Sequence, residues 1–125
     1  MQIVIADATA AVRKGLKIFL EQQPGWRIAG EASGALELLC AVGMQCPDLV
    51  LFDWELPGMP IASLVAALRH MCPRAVLVGL GGCREQRLQA ERLVDAFASK
   101  AESAEKLLTL IHTALLPGKP VAFTV

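Results

Sequence analysis

Asp7, Asp53 and Lys100 are the side chains through which this sequence can do chemistry. Each stands at the end of an apolar run: "QIVIAD", "LVLFD" and "DAFASK". Carboxylate oxygens suit Mg²⁺, a hard cation that keeps several waters. A carboxylate can also act as a nucleophile and form an aspartyl-phosphate. A lysine beside it contacts a phosphoryl oxygen as a point charge. Two acids and a lysine at one place therefore point to phosphoryl transfer. Asp53 runs into "WELPGMP", a turn with two prolines around a glycine. Such a turn holds the carboxylate at a sheet edge and offers backbone groups to a metal. A lone Asp at a strand end is ordinary, since loops are polar. Asp7, Asp53, Pro57 and Lys100 together form a far more specific pattern.

What would bring them together is the order of elements. Five short apolar runs mark strands: "IVIA" (3–6), "WRIAG" (26–30), "LVLF" (49–52), "AVLVGL" (75–80) and "AFA" (96–98). Three of them are continuous and rich in Val, Ile or Leu, the pattern of strands buried on both faces in a parallel sheet. Helical spacing separates them. Val12, Leu16, Phe19 and Leu20 mark the first helix, and Ala35, Leu38, Leu39 and Val42 the second, with Ser33 as its N-cap. Ile61, Leu64, Val65 and Leu68 mark the third. A weakly amphipathic fourth spans about residues 84–93. Ala104, Leu107, Leu108, Ile111 and Leu115 form the fifth, after Ser103. This alternation predicts an α/β fold, a three-layer sandwich. Its sheet would have five parallel strands in the flavodoxin-like order 2-1-3-4-5. In that order the first and third strands are neighbours. Asp7, Asp53 and Lys100 then share the rim beyond the carboxyl ends of the strands, where ligands bind.

The 125 residues suit one domain, taken as 1–116, with 117–125 a tail or the start of a linker. Hydrophobic residues make up 54% and charged residues 19%, which argues against disorder. Twelve basic and twelve acidic residues cancel, so charge predicts neither nucleic acid nor an anionic membrane as a direct partner. The opening run reads as a strand rather than a signal peptide, and no apolar stretch approaches the ~18 residues of a membrane span. Cys40, Cys46, Cys72 and Cys83 lack CxxC spacing and a nearby histidine, and read as small apolar residues in a reducing cytoplasm.

At this point the chain resembles a receiver domain (CheY-like) of bacterial two-component response regulators, of the NarL/LuxR-type branch. "IVIADATAAVRKGL", "WRIAGEASGALELL", "PDLVLFDWELPGMP" and "DAFASKAESAEKLLTLI" carry the resemblance over nearly the whole length. It implies that Asp53 accepts a phosphoryl group from a sensor histidine kinase, to control an output such as transcription. It implies Lys100 as the phosphoryl contact and Asp7 as the first acid of a metal-binding pair. Glu55 would offer its backbone carbonyl to Mg²⁺, and Phe97 occupies the switching-aromatic position. The domain would not itself be an enzyme, and DNA would be reached only through an output domain outside these residues.

The sequence departs from that pattern in ways that matter. Ala8 replaces the second acid, so Mg²⁺ binding would be weak or absent. Gly81 takes the place of the family's Ser or Thr (Leu80 with a one-residue slip), which removes a phosphoryl-binding hydroxyl. "GLGG" at 79–82 reads as a flexible hinge or as a site of close packing. An alternative function follows: an atypical pseudo-receiver that contacts partners independently of phosphorylation. Leu110 and Ala114 widen the apolar face of the last helix, through simple burial or a homodimer surface. A haloacid-dehalogenase-type phosphatase fits poorly, because Thr9 stands where that chemistry needs a second Asp and the chain has no room for a cap domain.

Overall fold

The computed structural model describes residues 1–117. The expected tail at 117–125 therefore lies, beyond Pro117, outside the described residues. Strands β1 (Gln2–Ala6), β2 (Arg27–Ala32), β3 (Leu49–Asp53), β4 (Val76–Gly81) and β5 (Ala96–Ser99) alternate with helices α1 (Ala10–Leu20), α2 (Ala35–Met44), α3 (Ile61–Met71), α4 (Arg84–Ala90) and α5 (Ala104–Leu115). The strands form one parallel sheet in the order β2-β1-β3-β4-β5. This is the expected flavodoxin-like order, reached because each helix returns the chain to the same end of the sheet.

Side-chain alternation along the strands divides the core in two. Ile3, Ile5, Leu49, Leu51, Val78, Leu80, Ala96 and Ala98 face one layer with Leu20, Leu107, Leu110 and Ile111. Val4, Ala6, Val50, Phe52, Leu77 and Phe97 face the other, with Leu38, Val42, Leu64, Val65 and Leu68. Helices α1 and α5 thus cover one face, and α2, α3 and α4 the other. Every residue of β3 is buried, which explains its unbroken hydrophobic run.

Several sequence expectations change. Of the two readings of Leu110, simple burial holds: it is 3% exposed and packs under the sheet. Val12 stays exposed while Leu20 anchors α1. Gly34, not Ser33, is the N-cap of α2, and Ser33 instead donates to the Glu37 carboxylate. Ser103 does cap α5, accepting from the Lys106 N–H at 3.2 Å. The cysteine reading fails in part: Cys46 and Cys72 form a disulfide, and Cys40 and Cys83 are free. No helix among the described residues is long and apolar enough to cross a membrane.

Candidate functional site

Asp7 follows β1, Asp53 ends β3 and Lys100 follows β5, so all three lie at one edge of the sheet. Lys100 Nζ stands 3.0 Å from Asp53 Oδ2 and 3.6 Å from Asp7 Oδ2. Asp7 is 2% and Asp53 8% exposed, whereas the lysine side chain reaches in from solvent. Burial works against the Lys100 ammonium. The hydrogen bond and charge of Asp53, and then the charge of Asp7, outweigh it and raise the lysine pKa above its ordinary value.

Local backbone fixes each acid. Asp7 Oδ1 accepts the Thr9 N–H at 2.8 Å, and Asp53 Oδ1 accepts the Glu55 N–H at 3.1 Å. Arg13, from α1, donates to the Asp7 backbone carbonyl. After Asp53 the chain turns through a bond from Leu56 N–H to Asp53 O, at 3.1 Å. Pro57 O then accepts the Ala35 N–H at 2.8 Å, and Gly58 takes φ +118°, a conformation that favours glycine. The "LPGMP" stretch is therefore a clamp that seats the turn on the start of α2. It explains why a buried strand delivers a carboxylate and then bends sharply.

A pocket of about 150 Å³ opens over Asp53, lined by Glu55, Gly81, Gly82, Cys83, Gln86 and Lys100. Gly81 lines it, while Leu80 belongs to the core on the opposite face. Position 81 therefore brings no hydroxyl to the pocket wall. The reason is steric. A Cβ at Gly81 would stand 2.9 Å from Phe97 Cε2 and 2.5 Å from Gln86 Oε1, and one at Gly79 2.7 Å from Trp54 Cε3. The flexible-hinge reading gives way at these two positions: they lie within β4 and are small because aromatic rings press on them. Phe97 is fully buried and meets Trp54 edge to face, with ring centroids 5.6 Å apart.

Gln86 is a pocket residue that sequence reasoning does not single out. Its Oε1 accepts the Gly82 N–H at 2.8 Å and its Nε2 donates to Glu55 Oε1 at 3.3 Å. A second glutamine, Gln89, accepts the Trp54 indole N–H at 2.9 Å. A glutamine on a polar, exposed-looking helix face gives no signal of either contact. Arg13 likewise reads as a solvent-facing residue of the first helix, yet its side chain bonds the Asp7 carbonyl.

The fold implies Mg²⁺, but the donor set does not fit a tight site. No three His, Cys, Asp or Glu side chains come together to hold a metal among the described residues. Ala8 offers no side-chain oxygen, and the Glu55 carboxylate is turned toward Gln86. Among the described residues, Asp7 Oδ2 is the one buried carboxylate oxygen without a hydrogen bond, and Lys100 already lies against it and Asp53.

No family model matches the chain. The chain is 46% identical over 79 residues to the uncharacterized transcriptional regulatory protein YhcZ of Bacillus subtilis (strain 168), a match covering 62% of this chain and 37% of that protein. Several protein-glutamate methylesterases also match, each over 21% of its length. The chain thus spans well under two thirds of these curated relatives. In structure it is similar to a two-component response regulator of the LuxR family from Aurantimonas sp. SI85-9A1. The TM-score is 0.86 at 22% identity, covering 97% of this chain and 88% of that one. It is similar, too, to the receiver domain of RcsB from Salmonella enterica serovar Typhimurium, determined with the phosphomimetic BeF3-. There the TM-score is 0.83 at 18% identity, covering 99% and 93%. Five parallel strands in this order, with two acids and a lysine at one rim, give the chain the CheY-like fold of response-regulator receiver domains, the proteins to which it is similar.

Proposed function

We propose that Asp53 accepts a phosphoryl group from the phosphohistidine of a sensor histidine kinase, and that the change controls an attached or separate output. One observation carries this reading: the Lys100 ammonium sits 3.0 Å from Asp53 at the mouth of a pocket of about 150 Å³. In the reaction an Asp53 oxygen attacks phosphorus, the P–N bond to histidine breaks, and the electron pair leaves with the imidazole nitrogen. Lys100 would contact the incoming phosphoryl group, and Asp7 would keep the lysine charged and in place. Glu55 and Gly82 line the remaining wall.

The output is read as transcription, in line with the relatives' names, with DNA reached through a separate output domain. The receiver itself would catalyse nothing beyond its own phosphorylation, and we place its work in the cytoplasm. A homodimer through α5 would have to use residues beyond the buried Leu110.

A second reading is favoured by the packing at Gly81: a pseudo-receiver that binds partners whether or not Asp53 is phosphorylated. With no hydroxyl at that position and Phe97 already inward, a phosphoryl group has one fewer contact through which to bias the fold. Acetyl phosphate tests the first reading. Incubation should add about 80 Da at Asp53, the mass of an acyl-phosphate group. The gain should disappear in Asp53→Asn. No gain under forcing conditions would leave the binding module as the function.

A further inference from the structure

The disulfide between Cys46 and Cys72 lies at the opposite end of the sheet from Asp53. Cys46 follows α2 and precedes β3, and Cys72 caps the C-terminus of α3 before β4. The bond joins residues 26 apart, with Cα atoms 5.6 Å from one another. It encloses all of β3, Asp53, the turn after it and α3. The two sulfurs are unequally placed: Cys46 is exposed, whereas Cys72 is 2% exposed. Both cysteines line a pocket of about 490 Å³, together with Pro47, Asp48, Pro73 and Arg74.

Each sulfur also has a backbone carbonyl beside it. Met71 O lies 3.3 Å from Cys46 Sγ, and Val42 O lies 3.6 Å from Cys72 Sγ. A bonded sulfur has no proton to give them; a thiol does. After reduction Cys46 S–H would donate to Met71 O and the buried Cys72 S–H to Val42 O. The backbone therefore accommodates both the disulfide and the dithiol without leaving a buried donor unpaired.

We propose that Cys46–Cys72 is a reversible thiol–disulfide couple, a redox modification site whose co-reactant is a dithiol. The incoming thiolate attacks Cys46 Sγ, the more exposed of the two sulfurs. The Cys46–Cys72 bond breaks, and its electron pair goes to Cys72 Sγ, which takes up a proton. The second thiol of the reductant then attacks the mixed disulfide. Cys46 leaves as a thiol and the reductant becomes a cyclic disulfide. Oxidation runs the same steps backward with an oxidised dithiol. Neither step uses Asp53 or Lys100, so this inference stands apart from the phosphoryl reading.

The test uses the full chain purified without reductant. Alkylation in denaturant followed by peptide mass spectrometry should label Cys40 and Cys83 and leave Cys46 linked to Cys72. Native protein treated with dithiothreitol should then label all four cysteines, and oxidised dithiothreitol should restore the same pairing. Reduction should lower the melting temperature by on the order of 10 °C, as expected for opening a loop of this length. Cys46→Ser should melt at the same temperature with and without reductant. Labelling of Cys46 and Cys72 in protein held under oxidant would overturn the proposal. So would a bond that resists dithiothreitol until denaturant is added, or reoxidation into other pairings.

Discussion

Replacing Gly81 by threonine gives the pocket wall a hydroxyl, and the packing says what this costs. A glycine inside a strand is weaker than alanine by roughly 0.5–1 kcal/mol, so with free space the change would stabilise the protein. The space is not free: the new Cβ would meet Phe97 Cε2 at 2.9 Å and Gln86 Oε1 at 2.5 Å. Gln86 is the end of a flexible side chain and can withdraw, giving up its bonds to Gly82 and Glu55. Phe97 is enclosed by Trp54 and β4 and has two courses. It can stay, at an overpacking cost of about 1–3 kcal/mol. Alternatively it swings out and forfeits its burial, about 1.5–3 kcal/mol. Either way Gly81→Thr should lose about 1–2 kcal/mol net. Urea unfolding followed by tryptophan fluorescence measures this, and in a Trp26→Phe background the signal is that of Trp54. A ring that swings out removes the edge-to-face contact and changes the Trp54 emission before unfolding; a ring that stays does not. Phe97→Leu should relieve the clash, with a coupling of about 1 kcal/mol or more between the two positions. The packing explanation would be refuted by a stabilising Gly81→Thr, or by a cost that is the same in the parent and in the Phe97→Leu background.

Three further outcomes follow from the site and the core. Lys100→Met should destabilise the protein near neutral pH by leaving two buried carboxylates facing each other. The raised lysine pKa also fixes the alkaline behaviour. The folded state holds this proton more tightly than the unfolded chain, so its contribution is present below about pH 10.4 and lost as pH climbs through the folded pKa. Because the side chain is 42% exposed, screening should reduce the loss to a few tenths of a kcal/mol. Guanidinium unfolding between about pH 8 and 11.5 should show that drop in the parent and a shallower one in Lys100→Met. Ala8→Asp supplies a third carboxylate beside Asp7 and Asp53. Mg²⁺ titration read by Trp54 fluorescence should then show binding tightened by about tenfold or more, and an unchanged titration would mean that position 8 does not face the site. Leu110→Arg buries an unpaired charge against the sheet and should cost about 4 kcal/mol or more. A variant that keeps the parent's urea midpoint would contradict the placement of Leu110 in the core.

The architecture was readable because burial on both faces leaves unbroken runs such as "LVLF", which cannot be confused with a half-exposed strand. Once three such runs and two less regular ones alternate with helices, few chain paths remain, and Asp7, Asp53 and Lys100 fall at one rim. Contacts decided by side chains from separate helices were not readable. Gln86 and Gln89 look like solvent-facing residues of a polar helix until α4 lies over Glu55 and Trp54. Leu110 looks like surplus on α5 because a helical wheel gives the width of the apolar face, not how much the sheet covers. Cys46 and Cys72 have no motif spacing, since their meeting depends on where two helices end. The GLGG stretch could be read as looseness or tightness, and only the positions of Trp54 and Phe97 decide between them.

The start of α2 has no side-chain cap, and its first free N–H is satisfied by Pro57 O from the turn after Asp53. Two stretches distant in the chain thus share a single structural duty. Adding or deleting a residue between positions 54 and 59 would strip a helix of its beginning as well as reshape a loop. Length variation should be tolerated better at the largely exposed Gln22–Gly25 bend than here, even though both look like ordinary surface connections.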